Sequence, residues 1–238
     1  MKNKFLAGLT TAALVAISVP AQAASLYSGE SFGTSGIKFI ENTKVNFNFN
    51  ESHGAYTSSV KVFEVGANNQ LTMVKSLFSE TKQSDNGSAN GWLGSCGNTV
   101  LVCTNDFVFE ANKTYTLGLD SGNNGIVYTT TALNNFASGG TQQAVFNSFG
   151  SLGAADGTTY SAANQAQYQS GDPFANVLKI SFDDRGNGND KDFQDVSLWA
   201  SASRVAKESV PEPTTLAGLA LAGAAITVSR RRRTRTIG

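Results

Sequence analysis

The sequence predicts an all-β body, an antiparallel sandwich or jelly-roll, and three observations lead there. Apolar and polar residues alternate at period two in several segments, the signature of strands with one buried face. Asn, Gly, Ser and Thr are abundant while proline occurs only four times in 238 residues, a balance that suits short strands and turns better than helices. The roughly 186 residues of Ala24–Ser209 fit a single all-β domain, which reaches this size without dividing. So polar a composition also suits disorder, but the Val, Ile and Phe residues at alternate positions make that the weaker reading.

The first 23 residues read as a secretory signal peptide. Lys2 and Lys4 form a basic start, Phe5–Val19 an apolar core, and Pro20-Ala21-Gln22-Ala23 a small-x-small site, placing cleavage between Ala23 and Ala24. An uncleaved N-terminal anchor is the alternative, and the short apolar run argues against it. Formal charge is zero, with 18 basic and 18 acidic residues. Setting aside seven basic residues and one acidic residue in the terminal segments leaves 11 and 17, so the body carries about −6. Nucleic acid is therefore excluded as a partner, because its phosphates demand Lys and Arg.

Strands follow in order. In Lys44–Asn50, Val45, Phe47 and Phe49 share one face and Asn46, Asn48 and Asn50 the other. Tyr56–Val65 and Leu71–Phe78 flank Gly66-Ala67-Asn68-Asn69, a hairpin pattern. Phe107-Val108-Phe109 and Tyr115–Leu119, linked by Glu110–Lys113, suggest a second hairpin, closed by turn chemistry at Gly122–Gly125. Asn134–Gln169, with Ala, Gln and Ser, predicts a long loop or one short helix.

Cys96 and Cys103 are the only cysteines, and in an exported chain an even pair reads first as a disulfide. Closing so small a loop stabilises by about 2–3 kcal/mol. The single histidine, His53, follows a strand and reads as a lone surface or turn residue. Neither a Gly-x-Ser-x-Gly elbow nor a His-Glu-x-x-His helix is present. No catalytic residue is assigned, and the expectation is a protein that is not an enzyme.

The most informative internal stretch joins two strands near the end of the body. Leu178, Ile180 and Phe182 alternate on one, and Val196, Leu198 and Ala200 on its expected partner. Between them Asp183–Asp195 holds five aspartates and two asparagines in thirteen residues. Asp183, Asp184, Asn187, Asn189, Asp190, Asp192 and Asp195 are the oxygen donors that a calcium ion would draw on, since it takes roughly six to eight such ligands. Asp, Asn and Gly are equally ordinary turn residues, and a solvated turn fits the pattern as well. An EF-hand does not: Arg185 stands at its third position and the closing Glu is missing.

The chain closes on Val210-Pro211-Glu212-Pro213, then the uncharged Thr214–Ser229, then Arg230, Arg231, Arg232, Arg233 and Arg235. As a C-terminal hydrophobic helix, Thr214–Ser229 would reach about 24 Å at 1.5 Å per residue, short of the roughly 30 Å of a bilayer core. The arginines would act as a membrane stop on the cytoplasmic side. Motif, apolar segment and basic end resemble the PEP-CTERM sorting tail of exported bacterial proteins. That resemblance implies three parts: residues 1–23, the 24–209 extracellular domain, and the 210–238 tail. It also implies passage through the export machinery, a transient stay at the inner membrane, processing by the membrane protease exosortase, and a cell-surface or matrix destination linked to exopolysaccharide or biofilm.

A second resemblance lies inside the body. Phe182-Asp183-Asp184, then Asp190-Lys191-Asp192-Phe193-Gln194-Asp195 and the following strand, are similar to an exported β-rich domain family of unknown function. It implies an extracellular β domain with a calcium dependence and no established activity. Three functions stay open: a non-enzymatic surface or matrix protein; a calcium-stabilised carbohydrate-binding module using Trp92, Trp199, Tyr56, Tyr115 or Tyr128 to stack on sugar; and a secreted hydrolase without a visible motif.

Overall fold

The computed structural model describes residues 25–54, 56–82, 94–134, 142–148, 168–184 and 193–206. Among them every regular element longer than a single turn is a β-strand. The strands are β1 Ser31–Gly33, β2 Gly36–Lys38, β3 Thr43–Ser52, β4 Ser59–Val65, β5 Leu71–Ser79 and β6 Gly94–Ser95. After them come β7 Thr104–Phe109, β8 Thr114–Asp120, β9 Ile126–Tyr128, β10 Ala144–Ser148, β11 Leu178–Phe182 and β12 Val196–Arg204. They form two antiparallel sheets, one ordered β1-β2-β8-β4-β5 with β9 beside β8, the other β10-β11-β12-β3-β6 with β7 beside β3. The all-β sandwich expected from the sequence is the architecture observed.

The alternation in β3 works as predicted. Val45, Phe47 and Phe49 are buried while Asn46 and Asn48 are exposed. Facing them across the core are Val60 and Val62 of β4 and Tyr115, Leu117 and Leu119 of β8. Leu178, Ile180 and Phe182 of β11 and Leu198 and Ala200 of β12 complete their own sheet's inner face. Phe39, Phe47, Phe107, Phe109 and Tyr115 meet edge to face, with ring centroids between 4.8 and 6.4 Å. Burying each such ring is worth about 1.5–3 kcal/mol, and the edge-on contacts add roughly 0.5–1.5 kcal/mol per pair.

Both expected hairpins around the acidic and Gly-Asn turns form: β4 pairs with β5 and β11 with β12. Asn68 and Asn69 take φ of 57° and 59° in the first turn, the left-handed region that asparagine tolerates better than other side chains. The Phe107–Leu119 hairpin does not form. β7 pairs with β3 and β8 with β2 and β4, so the link at Glu110–Lys113 is an arch between opposite sheets. The reason is the aromatic content on both flanks. As an arch, Phe109 and Tyr115 oppose each other across the core at 5.1 Å, whereas side-by-side pairing would leave one sheet without its cover. The turn at Gly122–Asn124 instead joins β8 to β9.

Asn134–Gln169, expected as loop or short helix, contains β10, which pairs with β11 over five residues. The apolar helix expected for Thr214–Ser229, with Val210–Pro213 and the arginines, lies outside the described residues, as do Ala23 and Ala24. Among the described residues no helix is long and apolar enough to cross a membrane.

Several strand edges are occupied. Gly33 bridges to Ser170, and Phe146 donates its N–H to the Tyr168 carbonyl at 2.8 Å, so the 168–170 segment touches an edge of each sheet. On the opposite flank Asn105 of β7 donates to the Leu77 carbonyl of β5 at 3.0 Å. Cys96 and Cys103 form the expected disulfide, with Cα atoms 5.3 Å apart, and tie β6 to β7 where β3 changes partner. Replacing Phe47 by Ala is expected to cost about 3–5 kcal/mol of unfolding free energy. Asn48→Ala, one residue along on the solvent face, should stay within about 0.5 kcal/mol. Urea titration of both variants measures the contrast.

Candidate functional site

Four chain segments deliver polar residues to one end of the second sheet. In the last paired row, Ala144 lies beside Phe182, Phe182 beside Val196, and Val196 beside Ser52. One position beyond that row stand Gln143, Asp183, Asp195 and His53. The alternation that buries Phe182 and Val196 thus carries the neighbouring polar residues to the rim of the sheet, where backbone bonds hold them. Asp183 donates its N–H to the Gln143 carbonyl at 3.1 Å, and Asp195 donates its own to the Phe182 carbonyl at 3.2 Å. His53 and Gly54 both donate N–H groups to the Asp195 carbonyl at 3.2 Å.

The Asp195 carboxylate reaches back across the base of the acidic hairpin. Its Oδ2 accepts the N–H of Asp184 at 2.6 Å, pinning the start of the hairpin loop to its end. A Cβ at Gly54 would lie 3.2 Å from both Cβ and Oδ1 of Asp195, so this close approach favours glycine there. Glu51 sits beside the group, with Oε2 4.0 Å from Nε2 of His53. Asp183, Asp184, Asp195, Glu51 and His53 are all buried, between 0 and 7 % exposed. Carboxylates taken out of water at this depth cost several kcal/mol each unless donors or a cation compensate.

Of the seven calcium candidates, Asp183, Asp184 and Asp195 come together in this way. Asn187, Asn189, Asp190 and Asp192 lie outside the described residues. Among the described residues no group of three or more His, Cys, Asp or Glu is placed to hold a metal ion. His53 corrects the expectation of a surface turn histidine: it is 7 % exposed and packed into the acidic group. Glu51, His53 and Gln143 were missed as members because only the register of β3 and β10 against β11 and β12 brings them to Asp183 and Asp195.

A further buried carboxylate, Glu80, meets the same end of β3. Glu80 accepts the Ser52 hydroxyl at 2.5 Å and the Ser58 N–H at 2.9 Å, while the Ser58 hydroxyl lies 3.0 Å from that of Ser121. This network ties the end of β3 to the β4–β5 sheet.

The aromatic residues expected to stack on sugar are differently placed. Tyr115 is 1 % exposed in the core, which removes it. Tyr128 packs edge-on against Phe63 at 5.5 Å. Trp199 faces outward, as its parity predicts, but is half-buried: its indole N–H donates to Asn50 Oδ1 at 3.2 Å and Lys179 covers the ring at 5.5 Å. Tyr56 is half-buried, and Trp92 lies outside the described residues.

The two packed antiparallel sheets define a β-sandwich protein. Its particular address comes from the tail: a family model for the PEP-CTERM protein-sorting motif matches residues 209–233. No curated protein and no solved structure matches the chain. The protein is therefore an exported one, sorted through exosortase toward the cell surface or extracellular space.

Asp195→Ala removes the acceptor for the Asp184 N–H, and leaving that buried donor unmet is expected to cost about 1–3 kcal/mol. Chemical denaturation at neutral pH measures the loss.

Proposed function

We propose that the mature protein is a non-enzymatic component of the extracellular matrix, held briefly at the inner membrane by its tail and released into exopolysaccharide or biofilm after processing. The PEP-CTERM motif at residues 209–233 carries this reading. An all-β body with a polar, Asn-bearing outer face on β3 and a net charge of about −6 suits a hydrated polysaccharide environment. Localisation tests it: full-length protein is expected outside the cell, and protein ending at Ser209 is expected to lose its membrane-bound stage. Full-length protein that stays uncut in the inner membrane would contradict processing and release.

The acidic end is proposed to take calcium. Burial of Asp183, Asp184 and Asp195 at the base of a hairpin that holds five aspartates supports this, because a hard divalent cation compensates carboxylates taken out of water. At one hundred times its dissociation constant, an ion bound only to the folded state adds about 2.7 kcal/mol. For a domain of this size that is about 5–10 °C in Tm. Calorimetry with calcium and then with a chelator reads the shift directly; identical melting curves would remove the ion from the proposal.

A carbohydrate-binding module is the weaker reading, since Tyr115 is core and the Trp199 ring is covered by Lys179.

A further inference from the structure

The last strand ends in a charged clamp made with the first residues of the body. Arg204 closes β12, and its guanidinium meets Glu30 as a bidentate pair, Nη1 to Oε1 and Nη2 to Oε2, both at 2.6 Å. The Glu30 side chain is 0 % exposed. The Tyr27 and Phe174 rings lie 4.2 and 4.1 Å from the guanidinium carbon. Nη1 also donates to the Thr43 hydroxyl at 3.3 Å, and Nη2 to the Ser25 carbonyl at 3.0 Å. Glu30 is held from its other side by the N–H groups of Tyr27 and Ile40 at 2.9 and 2.8 Å.

The surroundings brace the clamp. Asp172 accepts the N–H of Leu26 at 3.1 Å and that of Phe174 at 2.9 Å, and Ala202 donates to the Pro173 carbonyl at 2.8 Å. Burial pushes the Glu30 carboxyl up, but Arg204 and the two N–H groups outweigh it and hold the group below its ordinary value. A planar fork, a matching carboxylate and aromatic faces are the combination that suits arginine and not lysine.

What sets this clamp apart from an ordinary ion pair is its place in the chain. Ser25 is the second residue after the cleavage point expected between Ala23 and Ala24, and the sorting motif begins at residue 209, five positions after Arg204. We propose that the Arg204–Glu30 clamp fastens the newly cut N-terminus to the end of β12, so that β12 does not fray while the tail is held and processed. The proposal rests on the sorting reading. Five residues of fully extended chain span at most about 18 Å, so any pull needing more length falls on β12. Its last residues, Ala202–Arg204, pair with Thr43–Val45 in the middle of the sheet, and peeling them would open the core beside Phe47.

Pulse proteolysis of the full-length protein in detergent with a broad-specificity protease, read by intact mass, tests the clamp. At its two ends, wild type is expected to be trimmed only outside residues 25–206. Glu30→Gln and Arg204→Leu are expected to lose Ser25–Tyr27 and to be cut inside Ala200–Arg204 at least about fivefold faster. Val62→Ala, a core change on β4 in the sheet opposite β12, should keep the wild-type ends despite its lower Tm. Equal end-trimming in wild type and Glu30→Gln overturns the proposal, as does end-trimming of Val62→Ala at the Glu30→Gln rate. Failure of tail removal in cells bears on sorting alone and leaves this comparison intact.

Discussion

The structure depends on one pairing, that of β3 with β12. These strands come from opposite ends of the body, yet they run antiparallel over nine residue pairs from Thr43–Arg204 to Ser52–Val196. Neither strand can bury its apolar face alone. Val45, Phe47 and Phe49 need the opposing sheet, and that sheet's cover is complete only when Leu198 and Ala200 arrive beside them. The last strand made is thus a central one, with β11 and β10 added outside it. Loop closure over some 150 residues must be met before this contact rewards the chain, so the sandwich forms late and as a unit.

The same pairing positions both polar features of the body. At its Ser52–Val196 end, the rows just past the strands gather Asp183, Asp195, Gln143 and His53; at its Thr43–Arg204 end, Arg204 meets Glu30. One end is acidic and enclosed, with the Asp195 carboxylate held by the Asp184 N–H. The other is a neutralised pair wrapped in aromatic rings. Opposite ends of one strand pair therefore carry a candidate ion site and a fastener for the termini, and both require the register to be right. A slip of one residue would turn every side chain of β12 to the other face.

Much of this was legible in advance. Period-two alternation located β3, β11 and β12, and the Gly-Asn linker between apolar runs located the β4–β5 hairpin. The disulfide followed from there being two cysteines in an exported chain. Glu110–Lys113 was misread because a short polar link between strands looks the same whether the strands pair or pack across a core; only the contact of Phe109 with Tyr115 decides for the arch. β10 was hidden because Ala144–Ser148 is short and sits in a stretch dominated by Ala, Gln and Ser.

The sequence alone determined the all-β class, the acidic body and the sorting tail, because those rest on local order: alternation, charge counts and a contiguous motif. Tertiary structure alone decided that His53 is buried rather than exposed, that Tyr115 is core rather than a sugar platform, and that Arg204 reaches Glu30 across 174 residues. Each of these depends on which strand lies beside which. That is set by the fit of two apolar faces and the pairing register, neither of which is written in any local stretch of the chain.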